Sequence, residues 1–299
     1  MNVAAEQYFG FIVSNPNGTH DIRVDQRSAE RHVVAEFHRL VEVIKRLNPL
    51  AIVYAACEAD FESLVQWPKD EEARLRAADG LNIPIAVVSD LMVESVRRVN
   101  AYLAAASSLI GQATIHVTKH FGAESEFTKA WDLRRQELHG GSLGYRVVYD
   151  LRNYAQHYAL PIGVVNVAGQ RDPGGEMILD CSARLDRDAL LNSGFNWKKR
   201  TEDIAALEAE FDVLPLAEDY QRCLRLLIGE IVGVNGQPLI ACVEYLRAVR
   251  RVLSAPPNSR IWLFNGPGEE GQPPTSGLIV PEEQVTWLIT QFRTALKED

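Results

Sequence analysis

YRVVYDLRNYAQHYALP, residues 145–161, places its apolar and polar residues on opposite sides of a helix. At about 100° per residue, Val147, Val148, Leu151, Ala155 and Tyr158 share one side and form a core stripe. Tyr145, Arg146, Tyr149, Arg152, Asn153, Gln156 and His157 share the other, a face that combines cations, amides, aromatic rings and an imidazole. Pro161 marks the stop, because proline cannot continue a helix and disfavours the α region just before it.

Working upstream, Ser142 caps this helix after the break at Gly140 and Gly141, and Ser125 to His139 forms the helix before it. Ser89 or Asp90 caps the longest helix, which runs to about Phe121 with Gly122 in the C′ position. Met92, Val96, Val99, Leu103, Ala106, Ile110, Ala113 and Val117 draw a heptad-like seam along it. That seam suits the centre of an antiparallel bundle, with an intermolecular coiled coil as the other reading. Gly80 to Pro84 is the natural break within the chain. Glu30 to Leu47 is helical and ends at Asn48 and Pro49; Leu50 to Trp67 is a second helix, or a buried strand followed by a helix, and closes at Pro68; Lys69 to Gly80 is a solvent-facing helix or loop. At the N-terminus, apolar runs flank Asn15, Pro16, Asn17 and Gly18, which predicts a β-hairpin.

Downstream, IGVVNV from Ile162 and the alternating run Met177 to Leu185 flank the turn Arg171 to Gly175 and predict a second hairpin. Asp186 to Asn192, Trp197 to Glu210, Pro215 to Val232 and Pro238 to Leu253 are helical, with a turn at Gly233 to Gly236. Ala255 to Gly277 is a loop rich in proline and glycine around a short strand at Ile261 to Phe264. Pro281 then opens a terminal helix, with Glu282 and Glu283 at its positive end. The fold class is therefore mainly α, a helical bundle with peripheral β-hairpins. Its parts are an N-terminal hairpin (1–25), a helical domain (26–254) with an inserted hairpin near 162–185, and a loop-rich C-terminal segment (255–299) that ends in a docking helix.

The 299 residues, 46% hydrophobic and 24% charged, are those of an ordinary globular protein. No run of about 18 apolar residues is present, and the N-terminus lacks a basic start and an apolar signal core, so a cytoplasmic protein without a membrane span is expected. Cys57, Cys181, Cys223 and Cys242 show no paired spacing and are expected to be reduced. His116 and His120 are spaced as metal ligands on a helix, but no Cys or acidic residue at a fitting step completes the set. No metal and no cofactor is expected. The net charge of −9 argues against a general nucleic-acid coat, yet a local basic patch still grips a phosphate. Lys198, Lys199 and Arg200 form one candidate patch, and Arg247, Arg250 and Arg251 another.

Arg152, Asn153 and, after three more residues, His157 resemble the signature of the HEPN superfamily: arginine, four to six residues, histidine, with a polar residue next to the arginine. The bare spacing recurs at Arg27 and His32, Arg31 and His38, and Arg134 and His139, but only Arg152 is followed by Asn and flanked by Leu151 and Tyr154. The resemblance implies an α-helical bundle, a homodimer and, in its active members, metal-independent cleavage of RNA within toxin–antitoxin or anti-phage defence systems. An antitoxin or another defence component is the implied protein partner. Members that only bind are also known.

The chemistry fits these residue types. RNA carries its own nucleophile, the 2′-OH, and its cleavage needs a base, an acid and positive charge on the phosphorane. Imidazole transfers protons near neutral pH, and guanidinium holds two phosphate oxygens. His157 is thus the candidate acid or base, Arg152 the phosphate clamp, and Asn153 an orienting or phosphate-binding group. Tyr145, Tyr149 and Gln156 are the candidate substrate contacts. Five residues along one helix separate Arg152 from His157 by about 140° around the axis and roughly 7.5 Å along it, so the implied site is composite and shared by two chains. A non-catalytic helical scaffold, or a module that binds a partner through the same face, is the alternative.

Overall fold

The computed structural model describes residues 6–77, 85–160, 162–171, 174, 177–267, 274 and 276–296. In chain order its elements are β1 (Tyr8–Ser14), β2 (His20–Val24), α1 (Arg31–Ala77), α2 (Ile85–Phe121), α3 (Glu126–Gly141), α4 (Leu143–His157), β3 (Val164–Arg171) and β4 (Met177–Asp186). There follow α5 (Arg187–Asn192), α6 (Arg200–Ala205), β5 (Glu210–Asp212), α7 (Leu214–Val252), β6 (Ser259–Phe264), β7 (Gly277–Ile279) and α8 (Glu282–Gln291). The chain is mainly helical with small antiparallel sheets, as its periodicity implies. The expected break at Gly80–Pro84, the stop at Pro161 and most of the Arg171–Gly175 turn fall outside the described residues.

Three expected breaks do not occur. α1 passes through Pro49 and Pro68, and α7 passes through Gly233, Gly236 and Pro238. An interior proline loses a hydrogen bond and costs about 3 kcal/mol. Around Pro49, however, Leu47, Leu50, Ala51 and Tyr54 are all buried, and a buried large side chain contributes about 1.5–3 kcal/mol. Burial outweighs the local penalty. The same holds at Pro68, between Leu64, Trp67 and Leu75, and in α7 between Ile231, Val232, Leu239 and Cys242. By length and composition α7 contains one 18-residue window, of mean hydropathy 1.6, apolar enough to cross a membrane; 39% of that window is buried. Core helices meet the same criterion.

The chain divides into two units, Met1–Pro49 with Val232–Arg293, and Leu50–Ile231 with Thr294–Asp299. The divisions within α1 and α7 fall at or beside the breakers that these helices traverse.

The first unit joins the two ends of the chain. β1 pairs antiparallel with β2 and with β6, giving a four-stranded sheet in the order β2-β1-β6-β7. The N-terminal hairpin and the C-terminal segment, expected as separate parts, thus share one sheet. Phe9 packs edge-on against Phe37 of α1 at 5.9 Å. Arg250 donates to the Ser259 carbonyl at 2.9 Å and pairs with Glu282, so the Arg247–Arg251 patch has its middle cation committed.

The second unit holds the motif helix. β3, β4 and β5 form an antiparallel sheet, and Glu210, expected at the end of a helix, begins β5 instead. The N-terminal half of α7 is the element on which α2, α3 and α4 converge. Tyr102 of α2 donates to the Ala217 carbonyl at 3.1 Å, and Trp131 Nε1 of α3 to the Leu227 carbonyl at 3.1 Å. The seam of α2 is buried within this unit from Val99 to Val117, and Gly122 ends the helix at φ +91°.

α4 approaches α7 most closely at Gly144. A methyl group there would stand 2.3 Å from the Leu216 carbonyl oxygen and 2.8 Å from Asp219 Cβ. Gly144→Ala is therefore expected to force the helices apart and destabilise the protein by about 1–3 kcal/mol. Urea unfolding checks this; an unchanged midpoint would show that α7 does not constrain the start of α4.

Candidate functional site

Ser142 sets the start of α4: its hydroxyl accepts from the Tyr145 N–H at 2.9 Å and donates to Asp219 Oδ2 at 2.5 Å. Asp219 also accepts from the Gly144 N–H at 3.0 Å. Burial acts to raise the Asp219 pKa, but these bonds and Arg222 outweigh it, so the carboxyl lies below its ordinary value. The helix is thus fixed in rotation, with Val147, Val148 and Leu151 in the core as their spacing requires.

Two residues fall on the other side from the one expected. Tyr145, expected on the polar face, is 1% exposed and packs on Tyr220 of α7 at 4.8 Å. It offers no platform to a substrate. Tyr154 is buried, while Tyr158, expected in the core stripe, is 55% exposed. The buried arc is set by α7 and by the segment before α6, neither of which the local periodicity contains.

Of the remaining motif residues, Tyr149, Gln156 and His157 are exposed, and Arg152 and Asn153 are half-buried. Arg152 Nη1 donates to Asn153 Oδ1 at 3.0 Å, while its Nε is buried without a hydrogen-bond partner among the described residues. His157 closes the last turn of α4. The motif surface therefore remains open to solvent, and Asn153 engages Arg152.

Positions 146, 150, 153 and 157 form one stripe along α4, at steps of four, three and four. Its first half is covered by α6. Arg146 makes a two-pronged pair with Asp203, at 2.9 Å and 2.8 Å, and Arg200 bridges Asp203 at 2.9 Å and Asp150 at 3.5 Å. The hydrogen bonds from Arg146, opposed by partial burial and reinforced by Arg200, hold the Asp203 carboxyl down at about 2. Burial pushes Asp150 up, against the pull of Arg200, His139 and Lys198. Burial and then Arg200 push His139 down, although Asp150 opposes them. His139 belongs to the recurrence of the spacing at Arg134, and its ring meets Tyr145 and Tyr149 at 5.2 Å and 6.2 Å.

Asp203 gives the network a pH signature. Its folded pKa lies below the roughly 3.9 of an unfolded aspartate, so its contribution is full above that value and is lost as pH falls toward about 2. Asp203→Asn is expected to remove about 1–2 kcal/mol at neutral pH and to flatten the acid limb of the stability curve in that window. Urea unfolding between neutral pH and pH about 2.5 checks this; an acid limb identical to wild type would show that the pair contributes nothing.

Beyond the reach of α6 the stripe ends on Asn153 and His157, and beside it stands a cluster of rings. Tyr154 stacks on Trp197 at 5.3 Å and lies nearly parallel to Tyr158 at 6.3 Å. Phe195 stands edge-on to Tyr158 at 5.0 Å and to Trp197 at 4.6 Å. The buried Trp197 donates Nε1–H to the Leu190 carbonyl at 2.8 Å, which anchors this segment. Lys198 follows in the left-handed region, φ 53°, with its N–H on Asn196 Oδ1 at 3.1 Å. The chain thereby brings the basic run after Phe195 alongside the motif helix. The sequence marks Lys198 and Lys199 as a candidate patch; nothing local connects them with His157. Phe195, Asp150 and Asp203 carry no signal of their own.

Among the described residues no group of three His, Cys, Asp or Glu side chains is placed to hold a metal ion. The His116 and His120 rings lie 4.7 Å apart. All four cysteines are buried. No family model, curated protein or solved structure matches this chain.

Proposed function

We propose that this chain is a HEPN-like, metal-independent endoribonuclease of the toxin or anti-phage defence type, acting as a homodimer. The observation that supports this reading is the open end of α4. His157 and Gln156 face solvent on the last turn of a helix whose half-buried Arg152 and Asn153 contact each other one turn earlier. His157 would transfer a proton while the 2′-oxygen of RNA attacks phosphorus, the bond to the 5′-oxygen breaks, and a second group protonates the leaving oxygen. Arg152 would hold the phosphate oxygens as charge builds on them. Because one helix holds the two side chains apart, the phosphodiester would lie between two copies of this surface.

A second reading is favoured by a separate observation. Tyr158 and Leu160, 55% and 63% exposed, present apolar surface beside the motif, as a module for binding a protein partner would. An antitoxin or a defence component would be that partner.

Incubating the purified chain with total RNA in EDTA decides between the two. The nuclease reading expects cleavage that leaves 2′,3′-cyclic phosphate ends and that His157→Ala abolishes. Intact RNA in every lane would leave the binding module.

A further inference from the structure

We propose that Tyr158 and Phe195, with Lys198 and Lys199 beside them, form a subsite for single-stranded RNA, in which bases lie on the rings and phosphates meet the lysines. The proposal deepens the nuclease reading, on which it rests only for its place next to a scissile phosphate. Four observations carry it.

The Tyr158 ring is presented, not merely exposed, and the Phe195 ring beside it is half-buried. Tyr158 follows His157 directly, and its ring is held by Phe195 edge-on at 5.0 Å and by Tyr154 nearly parallel at 6.3 Å. A ring so braced stacks on a base with little further loss of freedom, and stacking accepts any base.

The lysines stand apart from the surrounding salt bridges. Arg200 is committed to Asp150 and Asp203, and Arg146 to Asp203. Lys198 and Lys199 are exposed and enter no ion pair among the described residues.

The placement is fixed from below. Trp197 is buried, its indole N–H is bonded to Leu190, and the Lys198 carbonyl accepts from the Thr201 hydroxyl at 3.0 Å. The left-handed backbone at Lys198 is a costly conformation for a residue with a side chain, and here it is held by packing.

Lys198 lies near the motif stripe. The Lys198 charge acts on Asp150, two turns before His157 on the same side of α4. A chain of phosphates following that side would pass the lysines and then the imidazole. This arrangement of bases on rings and backbone on cations is the chemistry of a single strand; a duplex hides its base faces.

The test uses the full-length protein and a fluorescein-labelled oligouridylate with 2′-O-methyl groups, which lacks the nucleophile and cannot be cut. Anisotropy titrations are expected to show binding by wild type. Tyr158→Ala should bind about 5- to 150-fold more weakly, the range for one stacked base. Tyr158→Phe, which keeps the ring, should restore affinity. Lys198→Ala with Lys199→Ala should make binding less dependent on salt, by a slope of about 0.7 for each lost phosphate contact. No binding by wild type, or equal affinity in Tyr158→Ala, would overturn the subsite. Binding that depends on Tyr158 in a protein that cuts no RNA would keep the subsite and remove the nuclease. Cleavage with unchanged binding by Tyr158→Ala would do the reverse.

Discussion

Replacing Arg225 with alanine is expected to lower the stability of the protein by about 2–3 kcal/mol, less than the roughly 3–5 kcal/mol of a fully buried ion pair because the guanidinium is partly exposed. Glu58 on α1 is 8% exposed. It accepts from Arg225 Nε at 2.9 Å, from Arg225 Nη2 at 2.7 Å and from Gln221 Nε2 at 2.8 Å. Burial alone would raise the Glu58 pKa; the bonds and charge of Arg225 outweigh it and hold the carboxyl below its ordinary value. Without the guanidinium the carboxylate keeps only the neutral partners Gln221 and Tyr54, in a place that water barely reaches. Urea unfolding at constant m-value measures the loss.

The pH dependence separates the buried charge from lost packing. In wild type the Glu58 contribution is full above the unfolded value of about 4.3 and is lost as pH falls through the lower folded value. In Arg225→Ala the folded value moves above the unfolded one, so the variant's deficit should be largest at neutral pH and shrink as the carboxyl protonates. A deficit that does not change with pH would assign the loss to the contact of Arg225 with the Phe61 ring, 5.5 Å from Cζ. The double variant Glu58→Gln, Arg225→Met should cost less than Arg225→Ala alone, because no charge is left buried.

His157→Ala is expected to slow RNA cleavage by about 10²- to 10⁴-fold, the usual contribution of a positioned proton-transfer group. His157 is exposed, so its removal should shift stability by no more than about 0.5 kcal/mol, and loss of activity would not report unfolding. Arg152→Lys keeps a charge but loses the planar fork; on the nuclease reading it too should be strongly impaired. Mixing His157→Ala chains with Arg152→Ala chains tests the composite site directly. If two chains share it, dimers formed from both variants regain part of the activity. If one chain suffices, the mixture stays inactive. Full activity in His157→Ala would remove the histidine from the chemistry altogether.

Local rules carried much of the second unit. α2 ends at Gly122, and α3 and α4 start where Ser125 and Ser142 cap them, because a cap is settled by a few neighbouring atoms. The hairpin of β3 and β4 follows from β-branched runs around a turn signal. At Pro49, Gly233 and Pro238 the same rules pointed to breaks, since a breaker's cost is local while the burial that offsets it comes from distant side chains. Tyr145 and Tyr158 changed places for a related reason. A period of 3.6 defines an arc on a helix, but the side of that arc that is covered depends on what packs there.

What the sequence by itself determined is the mainly helical class, the helix that bears Arg152, Asn153 and His157, and the exposure of His157 and Gln156. The tertiary structure alone decided that β1 and β2 share a sheet with β6 and β7, that α7 buries Tyr145, and that Phe195 and Lys198 stand beside the motif. Caps and periodicity act over one or two turns, whereas pairing between distant strands and the covering of a helix face depend on complementary surfaces that no short stretch of chain contains.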